Sequence, residues 1–346
     1  MLDLRGTELA ADEREMLLHP LVGGVILFSR NYADAAQLRT LTAAIHGLRQ
    51  PPLLIAADHE GGRVQRFRQG FFPLPPCRVY GRRFDESAAE GRRLAEQGGW
   101  LMAAELLAVG VDFSFAPVLD LDRGASSVIG DRAFHRQPDI VTELGRSFVR
   151  GMRGAGMAAV GKHFPGHGGV AADSHHTVPV DRRAREDILQ SDLVPFERLI
   201  EARLPGIMPA HIIFTDVDDV PAGFSREWLG KILRRELGFA GTIFSDDISM
   251  AGAEVAGSYE ARAAAALDAG CDMVLVCNNQ AAAVGVLDAL PVEPDPASQV
   301  RLMRMHGAHP RDGLEALRET GKWRESTAAL AALNTTPELG LSDDMA

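Results

Sequence analysis

Eight short apolar runs alternate along the chain with longer stretches of helical periodicity, and this alternation restricts the possible folds more than any other feature. Strands are predicted at 1–4, 24–28, 53–57, 112–116, 158–161, 206–209, 242–245 and 273–277. Between them, Leu94, Leu101, Ala104 and Ala108 share one helical face, as do Val141, Leu144, Phe148 and Met152, and Leu189, Leu193, Phe196 and Ile200. Ser225 is placed to cap a helix through Leu229, Ile232, Leu233 and Leu237 that stops at Gly238, and Ser258 to start an alanine-rich helix that stops at Gly270. Eight strand-helix repeats in roughly 300 residues predict an α/β protein built as a single (β/α)8 TIM barrel, a fold of typically ~250 residues. A doubly wound open sheet is the alternative. It would want a glycine-rich fingerprint directly after an early strand, but "VGGVILFSR" puts its glycines before the apolar run and no GxGxxG follows.

No shift of composition marks a boundary before about residue 290, so 1–290 is expected to form the barrel. The remainder, 291–346, starts with "PVEPDPASQ" and reads as a C-terminal helical appendage with an acidic tail, packed on the same domain. A net charge of −11 argues against nucleic acid or an anionic membrane as partner. Three cysteines, Cys77, Cys271 and Cys277, match no metal-ligand spacing and cannot all pair with one another, which suits a reducing compartment. The first twenty residues are acidic where a leader would be basic, and no apolar run is long enough to span a bilayer. A cytoplasmic monomer acting on a small molecule is expected.

In a barrel of this kind chemistry gathers at the C-terminal ends of the strands, where the following loops converge. The sequence delivers polar groups at those positions: Asp58 through Arg66, Arg132 in "VIGDRAF", Lys162 and His163, His211, Asp246 and Asp247, and Asn278 and Asn279. Singly, each has an ordinary explanation. An aspartate or asparagine after a strand commonly caps a helix or makes a turn, Arg66 and Arg132 could be solvated cations, and Glu60 and Asp247 suit capping or supporting hydrogen bonds. Their coincidence is the signal.

The stretch "KHFPGHGGVAADSHH", residues 162–176, adds four histidines and an aspartate. His163 and His167 are four apart but separated by Pro165 and Gly166, so they do not form the helical pair of an HExxH zinc site. A metal site assembled from His163, His167, Asp173, His175 and His211 is one reading. The other is proton transfer: Asp173 and His175, one residue apart, can project to the same side, and the carboxylate would fix the tautomer of an imidazole that serves as general acid and base. His176 and His167 would then be supports. Such a dyad needs a partner across the bond being broken, and Asp246 on another strand end could attack an electrophilic carbon, the arrangement of a retaining glycosidase. Alternation places Asp246 and Asp247 on opposite sides without saying which faces the axis.

These segments resemble the β-N-acetylglucosaminidases of glycoside hydrolase family 3, in particular the single-domain bacterial enzymes of peptidoglycan recycling. The resemblance runs through "LVGGVILFSRNY", "DHEGGRVQRF", "FSFAPVLD", "VIGDRAFH", "GKHFPGHG", "ADSHH", "IMPAH" and "IFSDDISM". It implies that Asp246 is the nucleophile, His175 the acid/base and Asp173 its partner, and that Asp58, Arg66, Arg132, Lys162 and His163 bind the N-acetylglucosamine ring. The implied substrate is terminal β-linked N-acetylglucosamine on 1,6-anhydro-N-acetylmuramic acid, with or without peptide. No metal or cofactor is implied. The glycines 166, 168 and 169 suggest a loop that swings His175 into place. A metal-dependent hydrolase and a non-catalytic sugar-binding protein are the rival readings.

Overall fold

The structure is a computed structural model that describes residues 1–124, 126, 128–170, 178–292, 295–310 and 312–333. Its eight principal strands are β1 (Leu2–Asp3), β2 (Gly24–Leu27), β3 (Leu54–Ala57), β4 (Phe113–Ser114), β5 (Val160–Phe164), β6 (Gly206–Pro209), β7 (Thr242–Asp247) and β8 (Met273–Leu275). They pair in parallel as two four-stranded sheets, in the orders β1-β2-β3-β4 and β8-β7-β6-β5. Isolated parallel bridges join Leu2 to Val276 and Val118 to Lys162, beside the outer strands of the two sheets. The fold is α/β, with a helix or helices between successive strands.

Each strand is buried along nearly its whole length, which is why the strands read as continuous apolar runs and not as alternating ones. Between the sheets, Phe113 and Phe115 meet Phe244 with ring centroids 5.2 and 5.5 Å away. The helix Ala88–Ala108 buries the predicted face, and Pro138–Ala155 buries Val141, Leu144, Phe148 and Met152. Ser225 Oγ accepts from the Trp228 amide ahead of the π-type helix Glu227–Glu236, and Ser258 Oγ accepts from Ala261 ahead of Tyr259–Ala269, whose end falls at left-handed Gly270.

Two expectations change. Leu189 and Ile200 do not share one helix: the chain forms Arg185–Leu189 and Val194–Glu201, broken where buried Asp192 takes Arg123 and Arg183 and where Pro195 begins the second helix. Strands β5 and β7 run past their predicted ends through Phe164 and Asp247, so Lys162, His163, Asp246 and Asp247 lie within strands.

The later helices Pro296–Met303, Gly313–Arg318 and Gly321–Ala331 are tied to the strand-helix body. Trp323 donates to Glu105 at 2.9 Å, and Arg301 reaches Asp272, the residue preceding β8, at 2.7 Å. Residues 334–346 lie outside the described residues. Among the described residues no helix is long and apolar enough to cross a membrane.

Candidate active site

A cavity of about 580 Å³ opens at the C-terminal ends of the strands, lined by residues from β2, β3, β5, β6, β7 and β8 or the segments after them. It contains Asp58, Glu60, Arg66, Arg132, Lys162, His163, His167, Asp246, Asp247 and Asn278. A second cavity of about 630 Å³, with mostly apolar walls, lies near the opposite strand ends around Leu2, Met273 and Leu302. Its charged lining residues include Arg234, Asp272 and Arg301, with both arginines paired to the aspartate.

The floor of the first cavity is a network of opposite charges. Lys162, only 2% exposed, donates to Asp58 at 2.8 Å and pairs with Glu60 at 2.7 Å. Glu60 takes Arg132 in a two-pronged pair, Oε1 and Oε2 each 2.8 Å from a guanidinium nitrogen, and Arg66 reaches the other oxygen of Asp58 at 3.2 Å. Burial by itself would raise both carboxyls, but Lys162 with Arg66 holds Asp58 well below the usual carboxylate range, and Arg132 with Lys162 brings Glu60 down to about 2. Burial likewise opposes the charges of Lys162 and Arg132. Their carboxylates outweigh it and raise both.

His163 is held from behind by Asp120, buried at the end of "FAPVLD": its Nδ1 lies 2.7 Å from Asp120 Oδ2, and the same carboxylate accepts the amides of His163 and His167. A carboxylate accepts only, so Nδ1 carries the proton and Nε2 is the nitrogen turned to another partner. His167 is lowered to about 4, by burial first and by His163 next, and is neutral near pH 7.

The two adjacent aspartates of β7 divide their work. Asp247 accepts the amides of Ser249 and Cys277 and the Ser249 hydroxyl, and burial raises its carboxyl to about 6. Among the described residues, Asp246 Oδ1 accepts the neighbouring Asp247 amide, at 2.8 Å, and Asp246 lines the cavity. Asn278 borders the cavity at φ +59°, whereas Asn279 caps the helix Gln280–Ala289. His211 does not line the cavity. It is buried under Phe224, with Nε2 donating to the Asp247 carbonyl at 3.1 Å, so it stiffens the strand end that carries Asp246.

Asp173 and His175 lie outside the described residues, as does His176. The glycines before them are needed for close packing: a Cβ on Gly168 would stand 1.8 Å from the Leu121 carbonyl, on Gly169 2.3 Å from Arg183, and on Gly166 2.7 Å from Asp192. Close packing thus accounts for these glycines, while the segment expected to swing, 171–177, lies outside the described residues. Among the described residues, no set of three metal-ligand groups gathers at the cavity; the one such set lies elsewhere, at His46, Asp112 and His309.

Sequence reasoning missed Asp120 and read Glu60 only as a capping or supporting residue, whereas the family resemblance already singled out Arg132. Asp120 closes the segment "FSFAPVLD", a strand-end position like those of Asp58 and Asp246, so its place is legible in the sequence. The Glu60–Arg132 pair joins residues 72 apart and needed the fold.

The profile described as "Glycosyl hydrolase family 3 N terminal domain" matches residues 1–304. A β-hexosaminidase of Thioalkalivibrio sulfidiphilus is 57% identical over 343 residues, spanning 99% of this chain and 98% of that protein. The structure of NagZ from Neisseria gonorrhoeae in complex with N-trifluoroacetyl-D-glucosamine superposes with a TM-score of 0.91 at 42% identity, covering 96% of this chain and 97% of that one. A structure of the same Neisseria protein in complex with a zinc ion gives a TM-score of 0.90 at 41% identity, covering 96% and 97%.

Proposed function

This chain belongs to glycosyl hydrolase family 3 as a β-N-acetylhexosaminidase, and from that footing we propose that it is a retaining exo-β-N-acetylglucosaminidase acting through an aspartyl-glycosyl intermediate. The observation that carries the reading is the convergence, on one cavity, of the Asp246 carboxylate with the Asp58–Lys162–Glu60–Arg132 network and a tautomer-fixed His163. Asp58, Arg66, Arg132, Lys162 and His163 would hold the hydroxyls and the acetamido carbonyl of the sugar. These are contacts that can strengthen as the ring flattens toward an oxocarbenium ion.

In the first step an Asp246 oxygen bonds to C1 as the C1–O bond to the aglycone breaks, and His175, charged and oriented by Asp173, gives its proton to the leaving oxygen. In the second step the neutral His175 takes a proton from water. The water oxygen bonds to C1, and the ester to Asp246 breaks with configuration retained. Asp246 is favoured over Asp247 because the latter's oxygens are engaged in the 247–249 turn and with the Cys277 amide. The substrate we infer is N-acetylglucosamine linked to 1,6-anhydro-N-acetylmuramic acid, with or without peptide, as arises in peptidoglycan recycling.

For the architecture, we read the two sheets as halves of one (β/α)8 barrel over 1–290, supported by the Leu2–Val276 and Val118–Lys162 bridges and by Phe244 packing on Phe113 and Phe115. Residues 291–346 are its helical appendage and tail. A cytoplasmic monomer, with neither nucleic acid nor membrane as partner, accords with three free buried cysteines and a net charge of −11.

The test is release of nitrophenol from p-nitrophenyl N-acetyl-β-D-glucosaminide, with and without EDTA, by the wild type and by Asp246→Ala. The expected result is chelator-resistant turnover that falls by at least three orders of magnitude in the variant. The zinc complex of the Neisseria protein makes the chelator arm informative: activity lost to EDTA would move the histidine loop to a metal role, and sugar binding without turnover would make this a binding protein.

A further inference from the structure

Two aspartates stand just ahead of their strands, and each accepts the amide of a residue on the neighbouring strand: Asp112 takes Ile55 at 2.7 Å and Asp272 takes Ile243 at 2.8 Å. Each also anchors the C-terminal segment. Asp272 receives Arg234 and Arg301, two permanent cations, each at 2.7 Å. Asp112, 1% exposed at its side chain, receives imidazoles: His46 Nε2 at 3.1 Å, His309 Nε2 at 3.0 Å and, more distantly, His306 Nδ1 at 3.5 Å.

His309 is placed between two acceptors. Its Nδ1 faces the Leu107 carbonyl at 3.2 Å and its Nε2 faces Asp112. Donation from Nδ1 to a carbonyl leaves Nε2 as a lone pair aimed at a carboxylate. That arrangement requires either a second proton on the ring or a cation between the groups, and a backbone carbonyl holding the far nitrogen is the usual support of a metal-bound histidine. A dication would take both Nε2 lone pairs and the carboxylate together.

We propose that His46, Asp112 and His309 form a binding site for a divalent transition metal of the zinc type, at the strand ends opposite the Asp246 cavity, where it clamps the C-terminal segment to the helix Ala35–His46 and the start of β4. One ligand atom from each residue lies within 4.8 Å of the others. A tetrahedral ion with bonds of about 2.0 Å needs ligand atoms about 3.3 Å apart, an approach that rotation of the two partly exposed imidazoles would supply. The nitrogen-rich set selects zinc, cobalt or nickel over magnesium or calcium. Because the ligands come from three distant parts of the chain, the ion binds the folded state alone and raises its stability.

The test is calorimetric titration of the EDTA-stripped, dialysed full chain with zinc chloride, alongside the visible spectrum of the cobalt(II) form and thermal unfolding across zinc concentrations. The expected result is one equivalent bound, a tetrahedral cobalt spectrum and a melting temperature that climbs with zinc. Affinity should fall at least tenfold in His309→Gln and, independently, in His46→Gln, whose site is at a helix end. Hydrolysis by both variants in EDTA should stay within twofold of wild type, and His175→Ala should keep the equivalent. Absence of binding to the wild type would overturn the proposal, as would binding that survives in both glutamine variants or disappears in His175→Ala.

Discussion

Lys162 is almost fully buried yet remains charged, because Asp58 and Glu60 both lie within hydrogen-bonding distance of its ammonium. Removing one acceptor from such a set leaves a buried charge under-compensated. Glu60→Gln should therefore lower kcat/KM for the chromogenic glucosaminide about 10- to 100-fold, roughly 1.4–2.7 kcal/mol of transition-state stabilisation, with the circular dichroism spectrum unchanged. Glu60 also sets a pH dependence of stability. Its folded-state carboxyl, at about 2, lies below its ordinary value of 4.5, so the unfolded chain binds the proton more tightly. The stabilisation is complete above about pH 5 and is lost as pH falls from 4.5 toward 2. Acid unfolding curves should show Glu60→Gln losing less stability than wild type across that window. Asp120→Asn tests the tautomer of His163: an amide NH₂ facing Nδ1 would move the ring proton to Nε2. We expect a 10- to 100-fold loss of kcat/KM, with the shift visible in the nitrogen-15 spectrum of the imidazole.

At the scale of the elements, the glycine-bearing turn after β5 and the helix caps make separable predictions. Gly168→Ala should displace the turn, since its Cβ would meet the Leu121 carbonyl, and should depress both activity and melting temperature. Gly230→Ala, in the helix Glu227–Glu236 with open space around it, should leave activity intact and raise stability by about 0.5–1 kcal/mol. Ser258→Ala removes the acceptor for the Ala261 amide and should cost about 1 kcal/mol, seen as a fall of about 1–2 °C in melting temperature with no change in turnover. These elements also show what the sequence reveals. Caps and apolar faces were legible because they depend on neighbours a few residues away. The true ends of β5 and β7 were hidden because Lys162, His163, Asp246 and Asp247 interrupt the apolar pattern where the cavity needs polar groups. The small pairing of His59–Gly61 with Val64–Gln65 carried no alternation long enough to read.

At the scale of the whole molecule, the eight-strand rhythm marks all eight principal strands, and the rule that chemistry collects at C-terminal strand ends points to most of the residues that line the cavity. Asn279 and His211 show where that rule over-reaches: both follow strands, but one caps a helix and the other packs beneath the site. Contacts between remote residues, such as Glu60 with Arg132 or Asp112 with His309, were beyond any local pattern. What unites the molecule is the proposed attack by Asp246 on the anomeric carbon of N-acetylglucosamine. The most direct test is the intact mass of the EDTA-treated protein after incubation with a ring-fluorinated N-acetyl-β-glucosaminyl fluoride, followed by peptide mapping. One glycosyl adduct per chain on the peptide carrying Asp246, absent from Asp246→Ala, is predicted. Chelator-resistant hydrolysis with no trapped adduct, or an adduct on another residue, would contradict it.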